Sequence, residues 1–167
     1  MTTIRKATDG DAEGIREAFL RSLREVCAKD HTPEEILAWG SRPQDEVRRL
    51  MDIQNEHVWV LELDGRIEGF AHLHLSSVFG RRLGQVHGLY LTPEAMGQGF
   101  GKNLAAILIE EAKKFGAAEI RLESTLNAHA FYRGIGFQYD GDPTTAHLGS
   151  TVVRCIPMQM VLRSDVQ

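Results

Sequence analysis

The sequence predicts one α/β domain, a mixed central β-sheet with helices on both faces. Two observations predict it. Apolar residues recur at helical spacing early in the chain and again over 104–115, while the stretches between and after them carry strand-like runs bounded by turn dipeptides. The resulting order is β, helices, β-hairpin, β, α, β, α, β, β, which packs as a sheet covered by helices.

Thr3 to Ala7 reads as the first strand. Thr8 and Asp9 are helix-capping residue types, and Ile15, Phe19, Leu23 and Val26 then recur at spacings of four and three, giving one apolar face. That helical region ends at His31. Thr32-Pro33-Glu34-Glu35 is a capping box with proline at the first helical position, so a short helix carrying Ile36, Leu37 and Trp39 follows. Ser41-Arg42-Pro43-Gln44 reads as another helix start, running to about Ile53. The period then changes. Val58 to Leu63 is a strand, Asp64-Gly65 a hairpin turn, and Ile67 to Leu75 the returning strand. Gly80-Arg81-Arg82 reads as a loop before a strand over Gln85 to Leu91, which Thr92-Pro93 ends. A glycine-rich loop leads into a helix whose buried face carries Leu104, Leu108, Ala112 and Phe115, with Gly116 as its stop. Ile120 to Thr125 is a strand, Asn127 to Arg133 a short helix and Phe137 to Tyr139 a short strand. Asp140 to Ser150 reads as a turn-rich loop, and Thr151 to Leu162 as a last strand, bulged or at an edge near Pro157.

Bulk properties bound the function. The chain has 167 residues, 43% hydrophobic and 25% charged, a balance suited to a single globular domain over 1–167. With 19 basic and 23 acidic side chains the net charge is −4, against non-specific nucleic-acid binding. Two cysteines, Cys27 and Cys155, make neither a metal-ligand pattern nor a disulfide framework. No apolar run reaches the length of a membrane span, and Met1 to Lys6 has no signal-peptide core. A cytoplasmic protein without a membrane partner is the expectation.

The chemistry concentrates between Leu89 and Leu104. A strand ends, Gly97-Gln98-Gly99-Phe100-Gly101 follows, and a helix begins. Such a junction gathers several main-chain N–H groups and the positive helix end at one point, and glycine lets an anion such as a pyrophosphate come close. Lys102 adds a positive charge in the first turn. A P-loop would need Ser or Thr after Gly-Lys, where Asn103 stands. A dinucleotide fingerprint would need two residues between its last glycines, whereas Gly97, Gly99 and Gly101 are spaced by one.

Preceded by Leu89-Tyr90-Leu91-Thr92-Pro93, this loop resembles motif A of the GNAT acetyltransferases, Q/R-x-x-G-x-G/A. Asn127-Ala128-His129-Ala130-Phe131-Tyr132-Arg133-Gly134-Ile135-Gly136-Phe137 resembles their motif B, a helix ending in Phe/Leu-Tyr-x-x-x-Gly-Phe. The resemblance covers Ile4 to Leu162 in element order and is specific from Leu89 to Phe137. It implies an N-acetyltransferase with acetyl-CoA as co-substrate and no metal. Acetyl-CoA would lie between two splayed parallel strands, Gln85–Leu91 and Ile120–Thr125. Main-chain groups of Leu89, Tyr90 and Leu91 would pair with the pantetheine arm, one of them polarising the thioester carbonyl. Gly97, Gln98, Gly99, Phe100, Gly101 and Lys102 would hold the pyrophosphate, and Asn127 would either cap its helix or contact the pantetheine. Tyr132 would protonate the leaving thiolate. Arg133 would approach the phosphates or face solvent.

Two family positions differ here. Gln85 stands where many members carry a glutamate base, and Met96 where motif A begins with Gln or Arg. His87, sharing a strand face with Gln85, is the first candidate for taking the proton from the amine, with His72 and His74 behind it. The same three histidines could be packing residues or, by residue type, a metal set. The acceptor, a small-molecule or peptide amine, would meet Phe19 to Ile53 and Asp140 to Val152. Trp39 is a candidate wall there, and Glu34, Glu35, Asp45 and Glu46 are candidate attractors of a cation. A homodimer is common in the family. Gln85 and Met96 also motivate a different class: a fold that binds acyl-CoA without turnover, as a sensor or interaction module.

Overall fold

A computed structural model describes residues 1–41, 55–148 and 151–162. The predicted helix starting at Ser41 lies outside the described residues past Ser41 itself, which is the C-cap of the helix before it. Strand β1 (Thr2–Lys6) leads through a tight turn into helix α1 (Ala12–Glu25), and α2 (Pro33–Gly40) follows. Then come β2 (Glu56–Leu63), β3 (Arg66–Val78) and β4 (Arg81–Leu91), antiparallel neighbours in turn. Helix α3 (Phe100–Phe115) crosses over to β5 (Glu119–Ser124), which pairs parallel to β4. A short helix α4 (His129–Gly134) and strands β6 (Gln138–Tyr139), β7 (Thr144–Leu148) and β8 (Thr151–Val161) complete the order. Among the described residues the sheet runs β1-β2-β3-β4-β5-β8-β6, with β7 also on β8.

Alternation along the strands sends apolar side chains to both faces. On one, Ile15 and Phe19 of α1 pack on Val58, Val60 and Phe70. On the other, Leu104, Leu108 and Ala112 of α3 pack on Leu61, Ala71, Leu73 and Ile120. Helices on both faces of a mixed sheet are therefore what the sequence builds. Among the described residues no helix is long and apolar enough to cross a membrane.

Four local expectations need correction. Arg81 and Arg82 belong to β4, because the β3–β4 turn closes in two residues, Phe79 and Gly80, both with positive φ. A strand, β7, runs inside the expected 140–150 loop, where polar composition hides a pairing made with β8. Pro157 is not on an edge strand: β8 lies between β5 and β6. It sits where β8 leaves the ladder of β7, which ends at Thr144–Cys155, and takes up that of β6 at Tyr139–Met158. A missing N–H costs little at such a break. The predicted apolar face of α2 is also only partial, since Leu37 is 74% exposed.

Candidate active site

Strands β4 and β5 separate just where the family resemblance requires a gap. Their pairing runs from Leu83–Glu119 to Val86–Leu122, and β4 then continues to Leu91 paired only with β3. The cause is on the other side of β4. His72 pairs with Gly88 and Leu73 with Val86, so His87 is an extra residue, a β-bulge that bends the strand. Beyond it, Thr92 donates to the Glu68 carbonyl at 2.9 Å. An antiparallel ladder alternates, so the amide of Tyr90 turns toward β3 and those of Leu89 and Leu91 turn into the gap. The Tyr90 ring packs with Phe70 and Phe19, at 5.5 and 5.0 Å between centroids.

The gap runs into a cleft of about 440 Å³ lined by Leu89, Leu91, the glycine loop and Asn127, with Val26 and Phe131 among its other walls. Gly97 and Gly99 hold φ of 75° and 87°, a backbone that glycine adopts without strain. At Gly101 a Cβ would lie 3.2 Å from the Phe131 ring, a tight contact that the ring would have to yield to by a few tenths of an ångström. The first bond of α3 runs from Asn103 to Gly99 at 3.2 Å. The amides of Phe100, Gly101 and Lys102 precede it and point out of the helix end, where the helix dipole is positive. Lys102 is exposed on the same rim. Gln98 turns elsewhere, donating to the Glu94 carbonyl at 2.8 Å, which fixes the loop.

Tyr132 is buried beneath this wall with Val86, Leu89 and Phe137. Burial pushes its phenol well above the ordinary tyrosine range, with Tyr90 and Cys27 adding to the shift. Asn127 lines the cleft with Oδ1 buried and without a hydrogen-bond partner. It does not cap its helix, whose N-cap is Ala128 without a side-chain bond, so this acceptor remains for a donor. Arg133 is held elsewhere: it bonds Gln138 and lies 5.3 Å over the Tyr139 ring.

The candidate bases gather on the α1 face. The His87 ring lies 5.2 Å from that of His72 and 5.8 Å from that of His74. Glu56 of β2 bonds His72, and its other oxygen lies 2.6 Å from Nδ1 of His74. Sequence reasoning missed Glu56, because nothing in the chain announces a pairing across sixteen and more residues. Gln85 lies opposite His74 and Arg121, within the closed part of the sheet, whereas His87 is the first residue past the last β4–β5 pair. Among the described residues no group of three or more His, Cys, Asp or Glu is arranged to hold a metal.

The expected acceptor side is held by side chains. Glu35 is no surface carboxylate: it is 3% exposed and accepts from Arg154 N and its guanidinium, both at 2.9 Å, and from Thr32 N at 3.0 Å. Burial opposes its ionisation, but Arg154 and these amides overcome it and hold the carboxyl far below the usual range. The clasp ties α2 to β8. Arg21 of α1 bonds buried Glu68 of β3 at 2.9 Å. Trp39 meets the His31 ring edge-on at 4.8 Å. Glu34 is exposed, and Asp45 and Glu46 lie outside the described residues.

A bulged strand parting from its parallel neighbour, over a glycine-capped helix, is the arrangement that the resemblance to acetyltransferases implies. The acetyltransferase (GNAT) domain family matches residues 27–162. The chain belongs to that family. An uncharacterized N-acetyltransferase of Methanocaldococcus jannaschii is 25% identical over 142 residues, 81% of this chain. The match spans only 60% of that relative's length. A GCN5-related N-acetyltransferase structure from Rhodopseudomonas palustris superposes with a TM-score of 0.83 at 22% identity, covering 97% of this chain and 96% of that one. The PaiA N-acetyltransferase of Thermoplasma acidophilum in complex with coenzyme A gives 0.76 at 22% identity, over 96% and 99%.

Proposed function

We propose that this chain moves an acetyl group from acetyl-CoA to a primary amine by direct attack within a ternary complex. One observation carries the reading: the β4–β5 gap opens at His87 and runs into a cleft ending on the amides of Phe100, Gly101 and Lys102. The Thermoplasma neighbour, of the same fold, holds coenzyme A.

The residues fit that co-substrate. Leu89, Leu91 and the Asn127 oxygen serve the pantetheine arm, and the loop from Gly97 to Lys102 serves the pyrophosphate. One of the strand amides polarises the thioester carbonyl. A substrate amine arrives as an ammonium and must lose a proton before it can attack. His87 takes it; Gln85, an amide, can orient the amine or a water but cannot act as a base. As the C–N bond forms and the C–S bond breaks, the sulfur takes the phenol proton of Tyr132. A tyrosine is protonated at neutral pH in any case, and burial, which raises its pKa, makes it a weaker acid that gives up the proton only to a developing thiolate beside it. Burial also pushes both thiols, Cys27 and Cys155, up to about 11, so neither supplies a thiolate for an acyl-enzyme route.

Thiol release from acetyl-CoA across a panel of amines tests the reading. Tyr132→Phe should lower kcat about a hundredfold and leave CoA affinity unchanged. Tight CoA binding with no thiol release on any amine would instead make the chain an acyl-CoA sensor or interaction module.

A further inference from the structure

Glu56 stands at the start of β2, opposite His74 in register, and its carboxylate reaches two imidazoles at once. Oε2 bonds Nε2 of His72, and Oε1 lies 2.6 Å from Nδ1 of His74. Its side chain is 10% exposed, so water competes little for it. An ionised carboxylate can only accept hydrogen bonds. Both histidines must therefore donate, His72 through Nε2–H and His74 through Nδ1–H. In a neutral ring the lone pair then falls on the other nitrogen, Nδ1 in His72 and Nε2 in His74. A single carboxylate thus sets opposite tautomers on two residues of one strand face. The His87 ring lies within 6 Å of both, at 5.2 and 5.8 Å, at the bulge where the gap opens.

We propose that Glu56 is a positioning residue of the transferase. It fixes the tautomers of His72 and His74, and it supplies the negative charge beside which the proton released by the amine is held on the His72–His74–His87 cluster. The proposal rests on the transferase reading above. In the step concerned, an N–H bond of the substrate ammonium breaks and its electron pair stays on nitrogen. An N–H bond forms on the His87 imidazole. The imidazolium so formed stands against two rings whose donor ends are already committed to Glu56, so the positive charge on β4 faces the carboxylate of β2 across the two β3 imidazoles.

A packing role would need only shape, which Glu56→Gln preserves. The amide, however, has one accepting oxygen and one donating nitrogen. It can accept from one histidine and must donate to the other, so one tautomer inverts. The test is ring-nitrogen NMR of the full chain labelled with ¹⁵N-histidine, without substrate, alongside acetyl-transfer kinetics. The wild type should show His72 as Nε2–H and His74 as Nδ1–H, and Glu56→Gln should invert one of them. The same variant should lose about tenfold in kcat with the KM for acetyl-CoA and the melting temperature unchanged. Matching tautomers on the two wild-type histidines would overturn the proposal even if the variant failed to fold. So would an inverted tautomer with full kcat, which would leave the transferase reading standing. A wild type that acetylates no amine would sink the transferase reading, and with it the proton-holding role, while the spectra still decided whether Glu56 sets the rings.

Discussion

The two sides of the gap are made of different material. On the β4–α3 side, the groups that would meet the coenzyme are mostly main-chain amides: Leu89, Leu91 and the first turn of α3. On the side of α1, α2 and β8, side chains hold the structure: Glu35 with Arg154, Arg21 with Glu68, and the Glu56 histidine cluster. Main-chain groups are present whatever the residue, so that side constrains the sequence chiefly by requiring that side chains be absent. The other side is free to change its partners pairwise, as suits a surface that must select an acceptor. The same division explains why the coenzyme can be named while the amine stays a class.

The largest test of this contrast is Gly99→Asp. Nothing lies within 4 Å of a Cβ at Gly99, so the side chain has room. Gly99 is the N-cap of α3, but in a left-handed backbone rather than the extended one from which aspartate caps a helix, so no capping bond is gained. Its φ of 87° adds some strain, though aspartate tolerates this region better than most. The protein should therefore fold, yet a carboxylate would stand against the pyrophosphate. At partly screened distances that repulsion is about 3 kcal/mol, or roughly two orders of magnitude in CoA affinity. Isothermal titration calorimetry reads the loss, and Gly99→Asn, similar in shape and uncharged, should retain most of the binding. Equal affinity for CoA in a folded Gly99→Asp protein would remove the pyrophosphate from this loop.

On the other side, Glu35→Gln should weaken the fold rather than the coenzyme site. The carboxylate bridges α2 and β8 in a buried setting, but its guanidinium partner is 52% exposed, so solvent offsets part of the loss. About 1–2 kcal/mol is expected from urea unfolding at neutral pH, with CoA affinity intact. The pH dependence has a definite sign. The folded carboxyl lies below its unfolded value, so its contribution is complete above about pH 4.3 and declines as pH falls through the lower folded value. The gap in stability between wild type and variant should therefore be constant from about pH 7 to about pH 5 and shrink below about pH 4. A gap that widened on acidification would mean that the carboxylate is not what holds α2 to β8.

The legibility of the sequence follows the same line. Gly97, Gly99 and Gly101 were visible because a glycine at a fixed position is a statement about the backbone, and the cleft they predicted is lined by those residues with Leu89, Leu91, Lys102 and Asn127. The strand gap was legible only through the family resemblance. Its physical cause, the bulge at His87, depends on register between β3 and β4, and register is not written in one strand alone. Glu56 was invisible for a similar reason, since its partners sit on the neighbouring strand. Glu35 was misread as a surface charge because a capping box explains a glutamate at that position well enough. The box is indeed present, and the second role, receiving Arg154, comes from a strand more than a hundred residues away. Strand β7 was lost to its polar composition, because it is an edge and most of its side chains face water.

The smallest expected effect sharpens the contrast most. Among the described residues, Lys102 is the one cationic side chain lining the cleft, and it is exposed. An exposed ammonium on a flexible stem interacts weakly with an anion, by about 0.2–1 kcal/mol. Lys102→Ala should thus weaken CoA binding only about two- to fivefold at low salt, and the difference should fade as salt shortens the screening length. Amides fixed in the helix end cannot relax away from the phosphates, so the bulk of the affinity should survive in the variant. Calorimetry at two ionic strengths would show this. A loss of two orders of magnitude on removing Lys102, comparable to that from Gly99→Asp, would mean that the coenzyme is held by a side chain after all, and the division between the two sides of the gap would not stand.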